Sequence, residues 1–282
     1  MQMHKGIAWP LFIVLMAGGL TGIGAGPAPA PREAFMGLQT TYLSFEITQA
    51  GSKDFGAPKD SLTDGAYRVS KSVKFEVPFN MPLPGSCPSG TPPEEAMEEG
   101  RCMGWAAMAP DDPELAEQMM SGKLEMAKNP MFVPAEFSVD DVSYFRFRDS
   151  PADGFGTQTR TSKGSGITYL ARTGMLLCDF KRMICDVSGV PLGSNGGGDE
   201  VTITTTSDVP GFEPQKETGD PRLLLPQVPQ EVASKLIGFS ITLPGPSTMT
   251  ASAPGEAEGG AAGPDVVLKV TLSSKPVAKS GT

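Results

Sequence analysis

The sequence predicts an all-β protein, a mainly antiparallel sandwich or barrel carrying one small helical insertion. Three observations lead there. Between Tyr67 and Phe79 the odd positions Tyr67, Val69, Val73, Phe75, Val77 and Phe79 are apolar, Lys71 alone breaks the row, and the even positions are polar apart from Pro78. Such a period of two marks a strand with one buried and one wet face, the habit of antiparallel sheets. Similar alternation recurs at intervals along the chain, and glycine (34) and proline (27) punctuate 282 residues densely enough to supply the turns.

Taken in order, the first thirty residues have the parts of an export signal: Lys5, an apolar stretch from Gly6 to about Leu20, and a small-residue end at Ala28-Pro29-Ala30. Cleavage there would place Pro31 first, so Ala25 before Gly26 is the alternative point. An uncleaved anchor is the competing reading, disfavoured by Pro10 and the glycines at 18, 19, 22, 24 and 26. Residues 35–282 then form the β-rich domain. Strands are expected around Leu43-Phe45-Ile47, Tyr67–Phe79, Phe145-Phe147, Ile237–Leu243 and Val266–Leu272. Weaker ones are expected at Thr157–Ser162, Ile167–Arg172, Met175–Phe180, Met183–Val187 and Val201–Thr206.

The helical insertion spans 88–130. Thr91 before two prolines and Glu94 predicts a capped helix from Pro92 to about Glu99, and Asp112 is placed to cap a longer one from Pro113 to about Lys128. Its methionines, Met103, Met108, Met119, Met120, Met126 and Met131, read first as fillers of an irregular core and second as a soft docking surface. Residues 244–265 hold little bulky apolar material beyond Met249 and are expected to be a flexible loop.

Four cysteines follow the leader, Cys87, Cys102, Cys178 and Cys185, and an even number in an exported chain reads as disulfides, with three pairings open. A two-residue turn at Lys181-Arg182 would put Cys178 opposite Cys185, which favours local pairing, with Cys87–Cys102 tying the base of the insertion. Loops of that size are worth about 2.5 and about 3 kcal/mol in the chain-entropy description. Zinc is disfavoured because the chain has no CxxC pair and only one histidine, His4, inside the leader.

That lone histidine decides most of the chemistry. Without it the exported protein has no Ser-His-Asp or Cys-His activation and no imidazole base. Ser-x-x-Lys and Gly-x-Ser-x-Gly motifs are also absent, and Asn195-Gly196-Gly197-Gly198 precedes a strand without the Lys-Ser or Lys-Thr of a phosphate cradle. No catalytic, cofactor or metal residues are assigned. Carboxylate-pair hydrolysis stays open through Glu136, Asp140, Asp141, Asp149 and Asp153, although Asp140 and Asp141 would point to opposite faces of a strand. Calcium is a milder option at the Asp-x-x-x-Asp-Gly runs 60–65 and 149–154, which read first as turns. A net charge of −9 and no interleaving of basic with aromatic residues argue against nucleic acid, and an acidic surface disfavours anionic lipid once the leader is gone. The expectation is a secreted or periplasmic, non-catalytic binding or structural envelope protein with a protein or small-ligand partner. The alternative is a secreted hydrolase using paired carboxylates.

Overall fold

A computed structural model describes residues 40–55, 63–109, 112–121, 124–147, 156–188, 197–242, 246–256 and 262–274. The leader, the 149–154 run with Asp149 and Asp153, and the first half of the 60–65 run lie outside them, while 63–65 begin a strand. Thirteen strands are described: β1 (Thr41–Phe55), β2 (Thr63–Phe79), β3 (Met81–Pro84), β4 (Cys102–Ala106), β5 (Phe132–Phe147), β6 (Gly156–Ala171), β7 (Met175–Asp179), β8 (Ile184–Ser188), β9 (Val201–Ser207), β10 (Gln215–Gly219), β11 (Phe239–Ser240), β12 (Ser247–Glu256) and β13 (Ala262–Ser273). They form an eight-stranded sheet ordered β10-β9-β6-β5-β2-β1-β13-β12 and a five-stranded sheet ordered β11-β8-β7-β4-β3, antiparallel throughout. One apolar core draws on both sheets, with Leu43, Ile47, Val73, Phe137 and Leu268 from the larger and Trp105, Leu176, Cys178 and Val187 from the smaller. The fold is therefore an all-β sandwich. Among the described residues no helix is long and apolar enough to cross a membrane.

The alternation in β2 does what its period requires: Tyr67, Val69, Val73, Phe75, Val77 and Phe79 are all buried. β5 is longer than its two phenylalanines predict. Its buried residues are Val133, Ala135, Phe137 and Val139, whereas Phe145 lies at the far end and is 39 % exposed. The two weak strands expected at 157–162 and 167–172 are one, β6, because Gly164 and Gly166 continue the ladder against Val139 and Phe137. A Cβ at Gly164 would sit tightly at 3.1 Å from the backbone of Val201, so glycine there eases close strand packing and does not mark a break.

The insertion is not helical throughout. Its helices are short, α1 (Pro93–Ala96) and α2 (Pro113–Met120), with a 3-10 turn at Met126–Lys128, and between them runs β4 in the smaller sheet. β4 shows no alternation because both its faces are covered, as near-continuous burial of Cys102, Gly104 and Trp105 records. Asp112 caps α2 as expected, accepting the Glu114 and Leu115 N–H groups at 3.0 and 3.3 Å. Thr91 does not cap α1: Pro92 holds the capping position, and the Thr91 hydroxyl is buried without a hydrogen-bond partner.

Two further expectations are corrected near the C-terminal end. The described part of the segment 244–265 is not a flexible loop, since Ser247–Glu256 is strand β12 and Ala262 already begins β13, while 244–245 and 257–261 lie outside the described residues. An edge strand buries little, so small Ser, Thr and Ala side chains suffice to build it. The strand expected over Ile237–Leu243 shrinks to Phe239–Ser240, with Ile237 at 58 % exposure in the preceding turn.

The disulfides are Cys87–Cys102 and Cys178–Cys185, and they lie on opposite faces of the smaller sheet. Cys178 faces Cys185 across β7 and β8 on the core side, both fully buried. Cys102 points the other way and pins the segment 86–101 over the outer face. Beneath this strap, Arg101 donates to Asp179 at 3.0 and 3.2 Å and also pairs with Glu95 and Glu98, while Asp186 accepts the Ser89 hydroxyl and the Ser89 and Gly238 N–H groups. Asp179 also explains how a hairpin closes on Lys-Arg without glycine or asparagine: its carboxylate accepts the Lys181 and Arg182 N–H groups at 2.9 and 3.1 Å, and Met183 takes the left-handed conformation, φ 55°. The turn therefore spans Phe180–Met183, not two residues.

Candidate functional site

The inward face of the larger sheet changes character along its strands. Rows can be read across it from the pairing register. Leu268, Ile47, Val73 and Phe137 stand side by side and are all buried. One pleat further on, the same face carries Val266, Gln49, Lys71 and Val139, and the next rows bring Asp141 beside Ser162 and Tyr67, Ser143 and Arg160 beyond them. The odd periodicity that gave β1 and β2 their apolar side thus delivers polar side chains inward at one end of the sheet.

There Lys71 and Asp141 form an ion pair at 2.8 Å, each with under a fifth of its side chain exposed, and Asp141 also accepts the Ser70 N–H at 3.2 Å. Gln49 is 2 % exposed and donates to the carbonyls of Glu256 at 3.0 Å and Pro264 at 3.2 Å, which ties β1 to the turn-proximal ends of β12 and β13. Gly255 is required beneath it, because a Cβ there would lie 2.5 Å from the Gln49 amide. Tyr67 and Ser162 are buried, and burial raises the Tyr67 phenol above its ordinary pKa, keeping it a hydroxyl donor at neutral pH.

Over these residues lies the segment after β10. Asp220 accepts the Arg222 N–H at 2.9 Å and pairs with its guanidinium, closing a 3-10 turn at Pro221–Leu223 that packs against β6. The Arg222 hydrogen bonds hold the Asp220 carboxyl below the usual range against the opposing pull of burial. Leu224, Leu225 and Gln227 then roof a cavity of about 380 Å³ floored by Gln49, Tyr67, Lys71, Asp141, Arg160 and Ser162. That volume falls within the range of small-molecule sites, roughly 300–1,000 Å³.

The acidic cluster of the sequence does not converge on this cavity. Asp141 enters it, whereas Asp140 turns to the outer face and lies 3.7 Å from Arg68, and Glu136 is exposed on that same outer face. Asp179 and Asp186, the buried carboxylates among the described residues, are satisfied under the strap by backbone, guanidinium and Ser89 hydroxyl donors and hold the smaller sheet together. Among the described residues no group of three or more His, Cys, Asp or Glu side chains is arranged to hold a metal ion. Sequence reasoning singled out Lys71 only as an interruption and passed over Gln49 altogether. The usable signal was polar residues falling at inward parity on neighbouring strands. No protein-family model, no curated protein and no solved structure matches the chain.

Proposed function

We propose that this is an exported, non-catalytic binding protein, secreted or periplasmic, whose cavity under the 221–227 segment takes a small polar ligand. The observation that carries the reading is the composition of the cavity floor: the Lys71–Asp141 ion pair, the further cation Arg160, a buried phenol, an amide and hydroxyls, with an apolar roof from Leu224 and Leu225. Polar groups held in fixed places beside a small apolar surface orient a polar ligand without attacking it. Two disulfides fit an oxidising compartment, in keeping with the leader-like first thirty residues. Carboxylate-pair hydrolysis draws less support, since Asp140 and Asp141 stand on opposite faces of β5 and Asp141 is engaged by Lys71.

The test is native mass spectrometry of the protein isolated from the extracytoplasmic fraction, followed by thermal-shift measurements against monosaccharides, amino acids and dicarboxylates. The wild type is expected to carry or be stabilised by one of these classes, and Ser143→Trp, which fills the cavity, to lose that response. An equal response in wild type and Ser143→Trp would place binding elsewhere.

A further inference from the structure

Two sheets have four edges, and three of them are guarded. β3 carries Pro82 and Pro84, β11 is two residues long, and β10 is short and charged at Lys216 and Glu217. β12 is different. It runs ten residues at the edge of the larger sheet, and although Pro254, a register irregularity and Glu256 close its far end, Ser247–Ala253 has neither charge nor proline, and alternate residues there turn their N–H and C=O groups away from β13, its only strand partner among the described residues. Natural sheets blunt such edges with charge, proline or brevity, because an open edge templates another strand. On its inner face Met249 and Ala251 pack against the core and stay half-buried, with the helical turn Gln230–Ala233 also approaching the strand.

We infer that β12 pairs with β12 of a second copy of this chain, antiparallel across a two-fold axis at Thr250. The sequence of the edge is self-complementary about that residue. Pro246 and Pro254 bound a proline-free run, Ser247–Ala253, whose centre is Thr250. Under the two-fold, Pro246 of one copy meets Pro254 of the other, so the residues that lack an N–H close the ladder at both ends. Within the run, Thr250 faces Thr250, Thr248 faces Ser252 and, on the core side, the long Met249 faces the small Ala251. Hydroxyl pairs are favourable across strands, and a long side chain opposite a short one avoids a clash. Charge selects the same strip: at a net −9 two copies repel, and contact is least costly along an uncharged strand. β11 approaches β12 from the smaller sheet, and the exposed Ile237 lies two residues before β11.

Sedimentation velocity on the full mature protein, with its disulfides intact, tests the inference. The wild type is expected to sediment as a dimer at about 100 μM, and Thr250→Lys, which sets a cation against itself, as a monomer at the same concentration with an unchanged circular-dichroism spectrum. All four native cysteines are bonded, so an introduced thiol stands alone. Thr250→Cys is expected to cross-link as a disulfide dimer on a non-reducing gel, whereas Thr248→Cys is not, because its own counterpart is two pairs away. A monomeric wild type, a dimer that survives Thr250→Lys, or equal cross-linking at 248 and 250 would each overturn the proposal. None of these outcomes bears on ligand binding in the cavity, which the Ser143→Trp comparison reads separately.

Discussion

Two rows of the same sheet face, one pleat apart, set the terms on which this molecule is built. The row through Leu268, Ile47, Val73 and Phe137 is sealed under the smaller sheet. The row through Val266, Gln49, Lys71 and Val139 begins the floor of a cavity. Backbone geometry is the same in both, and a residue separation of two is only about 7 Å along a strand. What differs is the cover. A second sheet pressed against the first row leaves no room for unpaired polar groups, so every inward side chain there is apolar. The 221–227 segment over the second touches it through a few leucines and leaves space in which Lys71 and Asp141 satisfy each other. The lesson is that one strand can serve stability at one end and recognition at the other, with the switch marked by a change of polarity at constant parity.

If that division is right, substitutions at the two ends must separate stability from binding. The largest effect belongs to Trp105→Ala, which empties a 1 % exposed site in the smaller sheet and should cost about 3–5 kcal/mol in urea unfolding. A loss under about 1 kcal/mol would mean that the smaller sheet is not what seals the apolar rows.

Next comes Asp179→Ala, expected to cost about 3 kcal/mol because it leaves Arg101 buried with only Glu95 and Glu98 as partners. This site also predicts a pH dependence. Burial alone pushes the Asp179 carboxyl up, but the Arg101 guanidinium and the Arg182 and Lys181 N–H groups together outweigh it and hold it below the usual range. The unfolded chain binds the proton first, near an ordinary value of about 4. Stability from this carboxylate is therefore complete above about pH 4 and is lost as pH falls through the lower folded-state value. Asp220, lowered by Arg222, acts in the same direction. Denaturation midpoints measured from pH 7 to pH 2 should fall along this limb in the wild type and fall less steeply in Asp179→Ala. Parallel curves would remove Asp179 from the account.

Much of the framework is legible in the amino-acid sequence alone. β1, β2 and β13 announce themselves because one face is buried and the other wet, and the alternation of Leu43-Phe45-Ile47 or of the odd residues from Tyr67 to Phe79 records that directly. Local disulfide pairing followed from the spacing of Cys178 and Cys185 about a turn. β4 was hidden for the opposite reason: strap and core cover both its faces, so no alternation exists to detect. β12 was hidden because an edge strand of Ser, Thr and Ala looks like a linker in composition. The cavity was half-visible. Lys71 stood out as a break in the β2 row, but its meaning depends on Asp141, some seventy residues away in sequence and brought near only by the β2–β5 register. No pattern within one strand reveals a pair formed between two, and the roof from Leu224 and Leu225 has no periodic signature.

The smallest stability effect is also the most direct test of the division between the two ends. Lys71→Met removes one partner of a pair that keeps some contact with solvent, so its cost should be about 1 kcal/mol or less, a shift of roughly 2–4 °C in Tm. The decisive measurement is the Tm of Lys71→Met with and without whichever small polar compound stabilises the wild type. The account predicts a nearly native Tm in the absence of compound and a ligand-induced shift that is lost. A Tm that collapses as far as that of Trp105→Ala, or a ligand response that survives intact, would contradict it.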